Sequence, residues 1–262
     1  MGHNIEFRWG GDLTSRSEKI SSVQRVVSMM SAVRSQLGDM SDFVWKSSSI
    51  IKSELKVEAD KLNTYFPAGS GENSGRLRAA RLSLSRQRIE EVYPYMQATG
   101  NFFAVLSAFE AFLLLLSKEV SILFDNDFKK ARGMGLEKIH NHLRGVGIDL
   151  NKAEYSTAVA SAYSIRNCLV HCAGVLSMSR DADKIRNIVS NYQHFAGVAQ
   201  ENAKNGMEGV SNAVRIVDGE FGDRLFISNN YAHTVCAYAT GYFWSVCNLV
   251  IDKAVELHDL EN

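Results

Sequence analysis

Apolar residues recur at helical spacing from the first part of the chain onward. In residues 15–38 they fall three or four positions apart, and Ser15 followed by Glu18 matches a capping box, which starts a helix. The stripe consists of Ile20, Val23, Val27, Met30, Val33 and Leu37. Gly38 suits the end of this helix, and a second apolar segment runs from about Ser41 to Phe66, before Pro67. Together they predict an N-terminal helical hairpin, followed by a linker at residues 67–75.

The helical pattern resumes at Arg76 and continues to the end of the chain. The segment from Phe102 to Phe124 has the length of a membrane span, but it contains Glu110 and two further charged residues, which are costly in a bilayer. We therefore expect a buried bundle helix and no membrane partner. The segment "AVRIVDGEFGDRLFIS" has two short β-type runs around a Gly- and Asp-rich turn, which predicts a β-hairpin.

These patterns predict a mainly α fold: a bundle of long antiparallel helices with the N-terminal helical hairpin and one small β-hairpin. We expect residues 1–75 to form a helical extension with its linker and residues 76–262 to form the main helical domain. The chain has only two prolines, which favours long helices.

Composition narrows the functional classes only slightly. The 29 Lys and Arg residues balance the 29 Asp and Glu residues, so any basic binding site must be local. The first residues lack the apolar run of an export signal, so we expect a cytoplasmic protein with reduced cysteines. Cys168 and Cys172 are one turn apart, but the paired CxxC spacing of zinc sites is missing, so we predict packing and no metal site.

The segment "SIRNCLVHCAG", from Ser164 to Gly174, combines an apolar and a polar stripe. It closes a helix predicted from about Lys152 to Ala173, with Gly174 as its stop. The apolar stripe consists of Ile165, Cys168, Leu169 and Cys172, and the polar stripe beside it of Ser164, Asn167 and His171. Arg166 lies off the polar stripe, but its side chain is long enough to bend toward it.

The polar residues of this segment suit phosphate chemistry. Histidine transfers protons near neutral pH, and the helix C-terminus favours its charged form. Arginine offers a planar fork of donors to phosphate and to the charge that develops on it. Such a set is suited to cleaving RNA through its own 2′-hydroxyl without a metal or other cofactor.

The hexapeptide "RNCLVH", Arg166 to His171, resembles the Arg-polar-x-x-x-His motif of the HEPN superfamily (higher eukaryote and prokaryote nucleotide-binding domains). The upstream helix with "SAFEAFLLLLSKEV" and the glycine that closely follows the histidine are similar to that family as well. The resemblance covers about Arg76 to the C-terminus. HEPN proteins are helical bundles, and many are metal-independent endoribonucleases that act as toxins or antiphage effectors.

The resemblance implies a role for each motif residue. Arg166 would bind the scissile phosphate, His171 would act as acid or base, and Asn167 would orient it, with Ser164 and Glu110 in supporting positions. The products would be a 2′,3′-cyclic phosphate and a 5′-hydroxyl. The family also implies a homodimer with a composite active site and an antitoxin or sensor partner. The alternative is a catalytically inactive HEPN-like module that binds RNA, nucleotide or a protein partner.

Other candidate positions leave two interpretations open. Glu110 either pairs with Arg166 or another arginine, or it has a local role at the helix surface. An arginine run either follows the RNA backbone or forms a solvated helix face, and Tyr163 either stacks on a base or packs in the core. The arginine run consists of Arg76, Arg78, Arg81, Arg86 and Arg88.

Overall fold

Helices make up most of the chain that the computed structural model describes, which is residues 15–65 and 72–258. This confirms the mainly α class. The helices are α1 (Arg16–Tyr65), α2 (Glu72–Gln87), α3 (Tyr93–Leu123), α4 (Gly135–Gly145), α5 (Ser156–Cys172), α6 (Ala182–Ser190), α7 (Gly197–Lys204), α8 (Glu208–Ser211) and α9 (Asn229–His258). The strands are β1 (Val214–Val217) and β2 (Arg224–Ile227).

The predicted N-terminal helical hairpin is wrong, because α1 is one continuous helix of 50 residues. Gly38, expected to end the first helix, lies exposed inside α1, with nothing within 4 Å of the position that a Cβ would take. A glycine in an exposed helix costs only about 1 kcal/mol relative to alanine, too little to break a helix that packs on both sides of it. Phe66 and residues 67–71 of the predicted linker lie outside the described residues, and residues 72–75 belong to α2.

The start of α1 follows the expected cap but buries a different stripe. The Glu18 backbone N–H donates to Ser15 Oγ at 3.3 Å, which confirms half of the capping box. Met30, Val33 and Leu37 are buried as expected, whereas Val27 is exposed and Val26 is buried in its place. The buried positions before Val26 are the polar residues Lys19 and Ser22.

Polar partners on distant segments explain this shift. Lys19 Nζ lies 2.7 Å from Asp125 Oδ2, and Ser22 Oγ donates to Glu119 Oε2 at 2.7 Å. Arg25 joins the same Glu119 carboxylate at 2.8 Å. Because each buried polar group has a partner, burying it is less costly than its residue type suggests.

Pro94 does not end the helix that follows the arginine run. Between α2 and α3 the chain forms a π-helical turn at Arg88–Val92, in which the Tyr93 N–H donates to the Arg88 carbonyl. Proline lacks an N–H and crowds the preceding turn, and a wider turn relieves that crowding. The helical path therefore continues through Pro94 into α3.

The predicted β-hairpin is confirmed. Strands β1 and β2 pair antiparallel, with Arg215 opposite Phe226 and Val217 opposite Arg224. Val214, Leu225 and Ile227 are buried, while Arg215 and Arg224 are exposed. The hairpin therefore has an apolar inner side and a basic outer side.

The described chain forms two compact units. The first comprises the residues up to Leu37, Leu106–Ser156, and the residues from Tyr238 onward; the second comprises Gly38–Val105 and Thr157–Ala237. In the first unit, Tyr155 stacks on Tyr238 with ring centres 5.1 Å apart and covers Gly241, where a Cβ would lie 2.3 Å from the ring. In the second unit, Asn229 at the start of α9 donates to Ser48 Oγ and accepts from Asn101 Nδ2. Motif helix α5 lies in the second unit except for its first residue.

Two helical stretches of the described chain, Asn73–Leu123 and Asn229–Leu257, are long and apolar enough to cross a membrane by length and composition. Within their most apolar windows, 33% of the first and 50% of the second is buried inside the protein. Core helices of soluble proteins have the same length and composition, so this is weak evidence for a membrane span.

Candidate functional site

The apolar stripe of α5 holds the motif in place from the inside. Ile165, Cys168 and Leu169 are buried, and Cys172 is half-buried with its thiol directed at the Met178 carbonyl at 3.4 Å. This confirms the spacing argument for packing. Burial raises the pKa of the Cys168 thiol, which keeps it protonated and poorly reactive.

The end of α5 is fixed by two consecutive residues in the left-handed region, Ala173 at φ 49° and Gly174 at φ 79°. The Gly174 N–H donates to the Cys168 carbonyl at 3.2 Å, and the Val175 N–H donates to the Cys172 carbonyl at 2.8 Å. A Cβ at Gly174 would lie 2.9 Å from the Leu225 carbonyl oxygen of β2. Only glycine fits this position without a shift.

The helix end is also bonded to the hairpin. The Leu225 N–H donates to the Gly174 carbonyl at 2.8 Å, and the Leu176 N–H donates to the Asp223 carbonyl at 2.9 Å. Val175 forms an antiparallel bridge with Arg224. The hairpin therefore lies directly beside the last turn of the motif helix.

Three motif side chains lie on the accessible side of α5. Asn167 and His171 are exposed and one turn apart, so they share a face, and Arg166 is half-buried. Arg166 Nη1 donates to Asn167 Oδ1 at 3.1 Å. Consecutive helical residues point about 100° apart, so this bond shows that the Arg166 side chain bends toward the face that Asn167 and His171 share.

Ser164 and Tyr163 contribute little accessible surface. The Ser164 hydroxyl donates to the Ala160 carbonyl at 3.2 Å, and the side chain lies in the interior. Tyr163 is 9% exposed, so its ring is largely covered by protein. The structure thus brings Arg166, Asn167 and His171 together at the surface but holds these two neighbours inside.

Glu110 belongs to the first unit, whereas Arg166 belongs to the second. A Cβ at Gly135, the first residue of α4, would lie 3.0 Å from Glu110 Oε1. The carboxylate therefore sits at the N-terminus of α4, where the partial positive charge of the helix end favours an anion. This contact gives Glu110 a local structural role.

The arginine run lies on α2 and the π-helical turn, within the second unit. Arg78 is half-buried and donates to Asn63 Oδ1. Arg86 Nε lies 3.6 Å from Glu90 Oε1, one helical turn further on. Arg76, Arg81 and Arg88 are exposed. The run is therefore an accessible basic surface, except at Arg78.

Buried titratable groups occur elsewhere in the molecule. Tyr242 Oη and His140 Nε2 lie 3.1 Å apart in the first unit. Burial, with Arg144 nearby, lowers the pKa of His140 to about 4, and burial raises the pKa of Tyr242 to about 12. Both groups are neutral at physiological pH, which suits a hydrogen bond in the core. Burial also raises the pKa of Cys236 to about 12, which keeps that thiol protonated.

The hairpin carries a cation–aromatic ladder that the sequence pattern did not reveal. We define it as Arg224, Tyr95, Phe226 and Arg215, in order of contact. The Arg224 guanidinium carbon lies 5.0 Å from the Tyr95 ring centre, the two rings are 4.9 Å apart, and the Arg215 guanidinium carbon lies 4.9 Å from the Phe226 ring centre. Arginines at outward positions of the hairpin were the only sequence signal, because Tyr95 lies far away along the chain.

Within residues 15–65 and 72–258, no group of three or more His, Cys, Asp or Glu side chains could hold a metal ion. Comparison with known proteins gives no relative: no family model, no curated protein and no solved structure matches this chain.

Proposed function

We propose that the chain is a metal-independent endoribonuclease of HEPN type, with Arg166 and His171 as its catalytic residues. The observation that carries the proposal is the hydrogen bond from Arg166 to Asn167, which turns the guanidinium toward the exposed face that holds His171. A phosphate at this face would meet a fork of N–H donors and an imidazole near one helix end. Such a combination suits phosphoryl chemistry.

The reaction needs two proton transfers and charge stabilisation. A neutral His171 takes the proton of the ribose 2′-hydroxyl as its oxygen attacks the adjacent phosphorus, while Arg166 stabilises the charge on the phosphorane oxygens. The bond from phosphorus to the 5′-oxygen then breaks, and an imidazolium donates a proton to that oxygen. The products are a 2′,3′-cyclic phosphate and a 5′-hydroxyl. Asn167 restrains Arg166 and faces His171 from the preceding turn.

In an in-line displacement the 2′-oxygen and the 5′-oxygen lie on opposite sides of the phosphorus, so a single imidazole would have to move between the two proton transfers. In a homodimer with a composite site, one copy supplies the base and the other the acid, so neither imidazole has to move. We therefore extend the proposal to a dimer. Following the resemblance, we place the enzyme in the cytoplasm of a prokaryote as a toxin or antiphage effector, restrained by an antitoxin or sensor.

The test is RNA cleavage by purified protein in EDTA. We expect the wild type to cut structured RNA and to leave cyclic phosphate ends, identified by mass spectrometry. His171→Ala and Arg166→Ala should each lower the cleavage rate by about 100-fold or more, because each removes a group that acts in the transition state. Arg34→Ala, an exposed arginine on α1, is the matched control and should cut at the wild-type rate.

Two results would contradict the proposal: intact RNA with the wild type, or cleavage at the wild-type rate by both motif variants. If RNA stays intact but binds, the inactive binding module becomes the better description. Expression in bacteria provides an independent readout, because growth arrest by the wild type should be lost with His171→Ala.

A further inference from the structure

The cation–aromatic ladder places two arginine guanidinium groups over aromatic rings. A guanidinium that stacks on a ring uses its flat face, while its N–H donors point outward in the plane and remain available. Stacking also restrains the side chain, so less conformational entropy is lost when a ligand binds. From this geometry we infer that the ladder binds the phosphodiester backbone of single-stranded RNA.

The two arginines of the ladder differ from Arg186 in the charges that surround them. Within the described part of the chain, neither Arg215 nor Arg224 forms an ion pair. Arg186, by contrast, is held by Asp183 at 3.3 Å and by Asp223 at 3.0 Å. Asp223 precedes Arg224 in the sequence, yet its carboxylate is engaged by Arg186. Two exposed guanidinium groups with free charge form a local anion-binding surface on a chain of zero net charge.

The ladder is fixed to the end of the motif helix. Arg224 pairs with Val175, and its Cγ would lie 3.6 Å from a Cβ at Gly174, three residues after His171. Backbone hydrogen bonds from Leu225 in β2 to Gly174, and from Leu176 to Asp223 just before β2, support this arrangement. A strand bound along the ladder would therefore approach the last turn of α5, where the proposed chemistry occurs.

Tyr95, which contacts Arg224 in the ladder, also connects the ladder along the chain to the arginine run. Tyr95 lies on α3, just after the π-helical turn that carries the exposed Arg88. The ladder and the run both belong to the second unit, and together they offer basic groups on two elements. Repeated basic groups match a polymer with a charge on every residue.

Single-stranded RNA suits the ladder better than an acidic peptide does. The outer face of a stacked guanidinium can stack on a nucleobase while its edge binds phosphate, and RNA offers both groups in every nucleotide. A carboxylate of an acidic peptide would bind only the N–H edge of the guanidinium and would leave its face without a partner. The choice of RNA rests on the proposed ribonuclease function, and the ladder would be its substrate-binding surface.

The test measures binding separately from cleavage. The probe is a fluorescent single-stranded RNA of about 20 nucleotides with a 2′-O-methyl group on every ribose, which has no 2′-hydroxyl to attack. Its affinity is measured by anisotropy at several salt concentrations for wild type, Arg215→Ala/Arg224→Ala and Arg34→Ala. We expect the double variant to bind at least about tenfold more weakly and its salt slope to fall by about 1.4, since each lost phosphate contact contributes about 0.7 for a single strand.

Further arms make the outcome decisive. Arg224→Lys keeps the charge but loses the planar fork, so it should bind with intermediate affinity, and thermal unfolding checks that each variant is folded. Unchanged affinity in the folded double variant, no binding by the wild type, or equal competition by polyglutamate and unlabelled RNA would each overturn the inference. Wild type that binds the probe through the ladder but cuts no unmodified RNA would refute the proposed nuclease alone.

Discussion

His194 shows how burial of one residue shapes the stability of the second unit. Its side chain is fully covered, and its ring packs against Phe195 and Tyr231. Nδ1 lies 3.2 Å from the Ile188 carbonyl, so the proton of the neutral ring belongs on that nitrogen, while buried Nε2 has no hydrogen-bond partner among the residues that the structure describes. A second proton on Nε2 would be a buried donor without an acceptor. Burial therefore lowers the pKa of His194 to about 4.

This lowered pKa predicts a stability that depends on pH. The unfolded chain binds a proton near pH 6.5 and the folded chain only near 4, so stability is complete above pH 6.5 and falls as the pH drops toward 4. For His194 alone, the loss between pH 7.5 and pH 5 should be about 2 kcal/mol. Urea unfolding of wild type and His194→Phe at both pH values isolates this contribution, because other histidines affect both proteins alike. Equal losses in the two proteins would contradict the assignment.

At the level of single residues, sequence spacing identified apolar contacts better than polar ones. Ile165, Cys168 and Leu169 are buried as their spacing predicts. Lys19 and Ser22 are buried against expectation, because their partners Asp125 and Glu119 lie about 100 residues away in the sequence and no local pattern reveals them.

Among the elements, α1 gives the sharpest comparison between sequence and structure. Gly38 would take a left-handed conformation as the end of a helix, but in the continuous helix it has an ordinary helical backbone and open space around it. A helix end at Gly38 and a continuous helix through it predict opposite effects of Gly38→Ala on the free energy of unfolding. A glycine taken as a helix stop says nothing about packing. Here the helix continues because buried residues flank Gly38 on both sides: Val33, Leu37 and Val44.

Gly38→Ala should therefore stabilise the protein by about 1 kcal/mol, because alanine favours the helix and restricts the unfolded chain. Gly174→Ala is the matched contrast and should destabilise it by about 2 kcal/mol or more, because of its positive φ and the nearby Leu225 carbonyl. Both values follow from chemical unfolding with wild type in parallel. Destabilisation by Gly38→Ala would instead support a helix end at residue 38.

The β-hairpin and motif helix show what sequence can predict of a site. Two β-type runs around a turn predicted the hairpin, and helical spacing predicted the motif helix. The length of Arg166 suggested its bend toward the polar stripe, where the structure has a hydrogen bond to Asn167. The ladder was not predictable in this way. The Tyr95 and Phe226 rings are in contact although more than 100 residues separate them, and such a contact follows from the fold rather than from any local period.

For the whole molecule, the proposed composite site predicts how activity responds to subunit mixing. If catalysis needs His171 from both copies, a mixed dimer of wild type and His171→Ala is inactive, because one proton transfer lacks its group. After equal amounts are unfolded together and refolded, random pairing leaves about one quarter of the dimers fully wild type. We therefore expect about one quarter of the activity of wild type refolded at the same total concentration.

If each copy acts alone, about half of the wild-type activity remains. Mixing with Arg34→Ala should leave activity unchanged, and light scattering of the same samples establishes whether dimers are present. A result of one half would reject the composite site while leaving the catalytic roles of Arg166 and His171 to the single-variant assay.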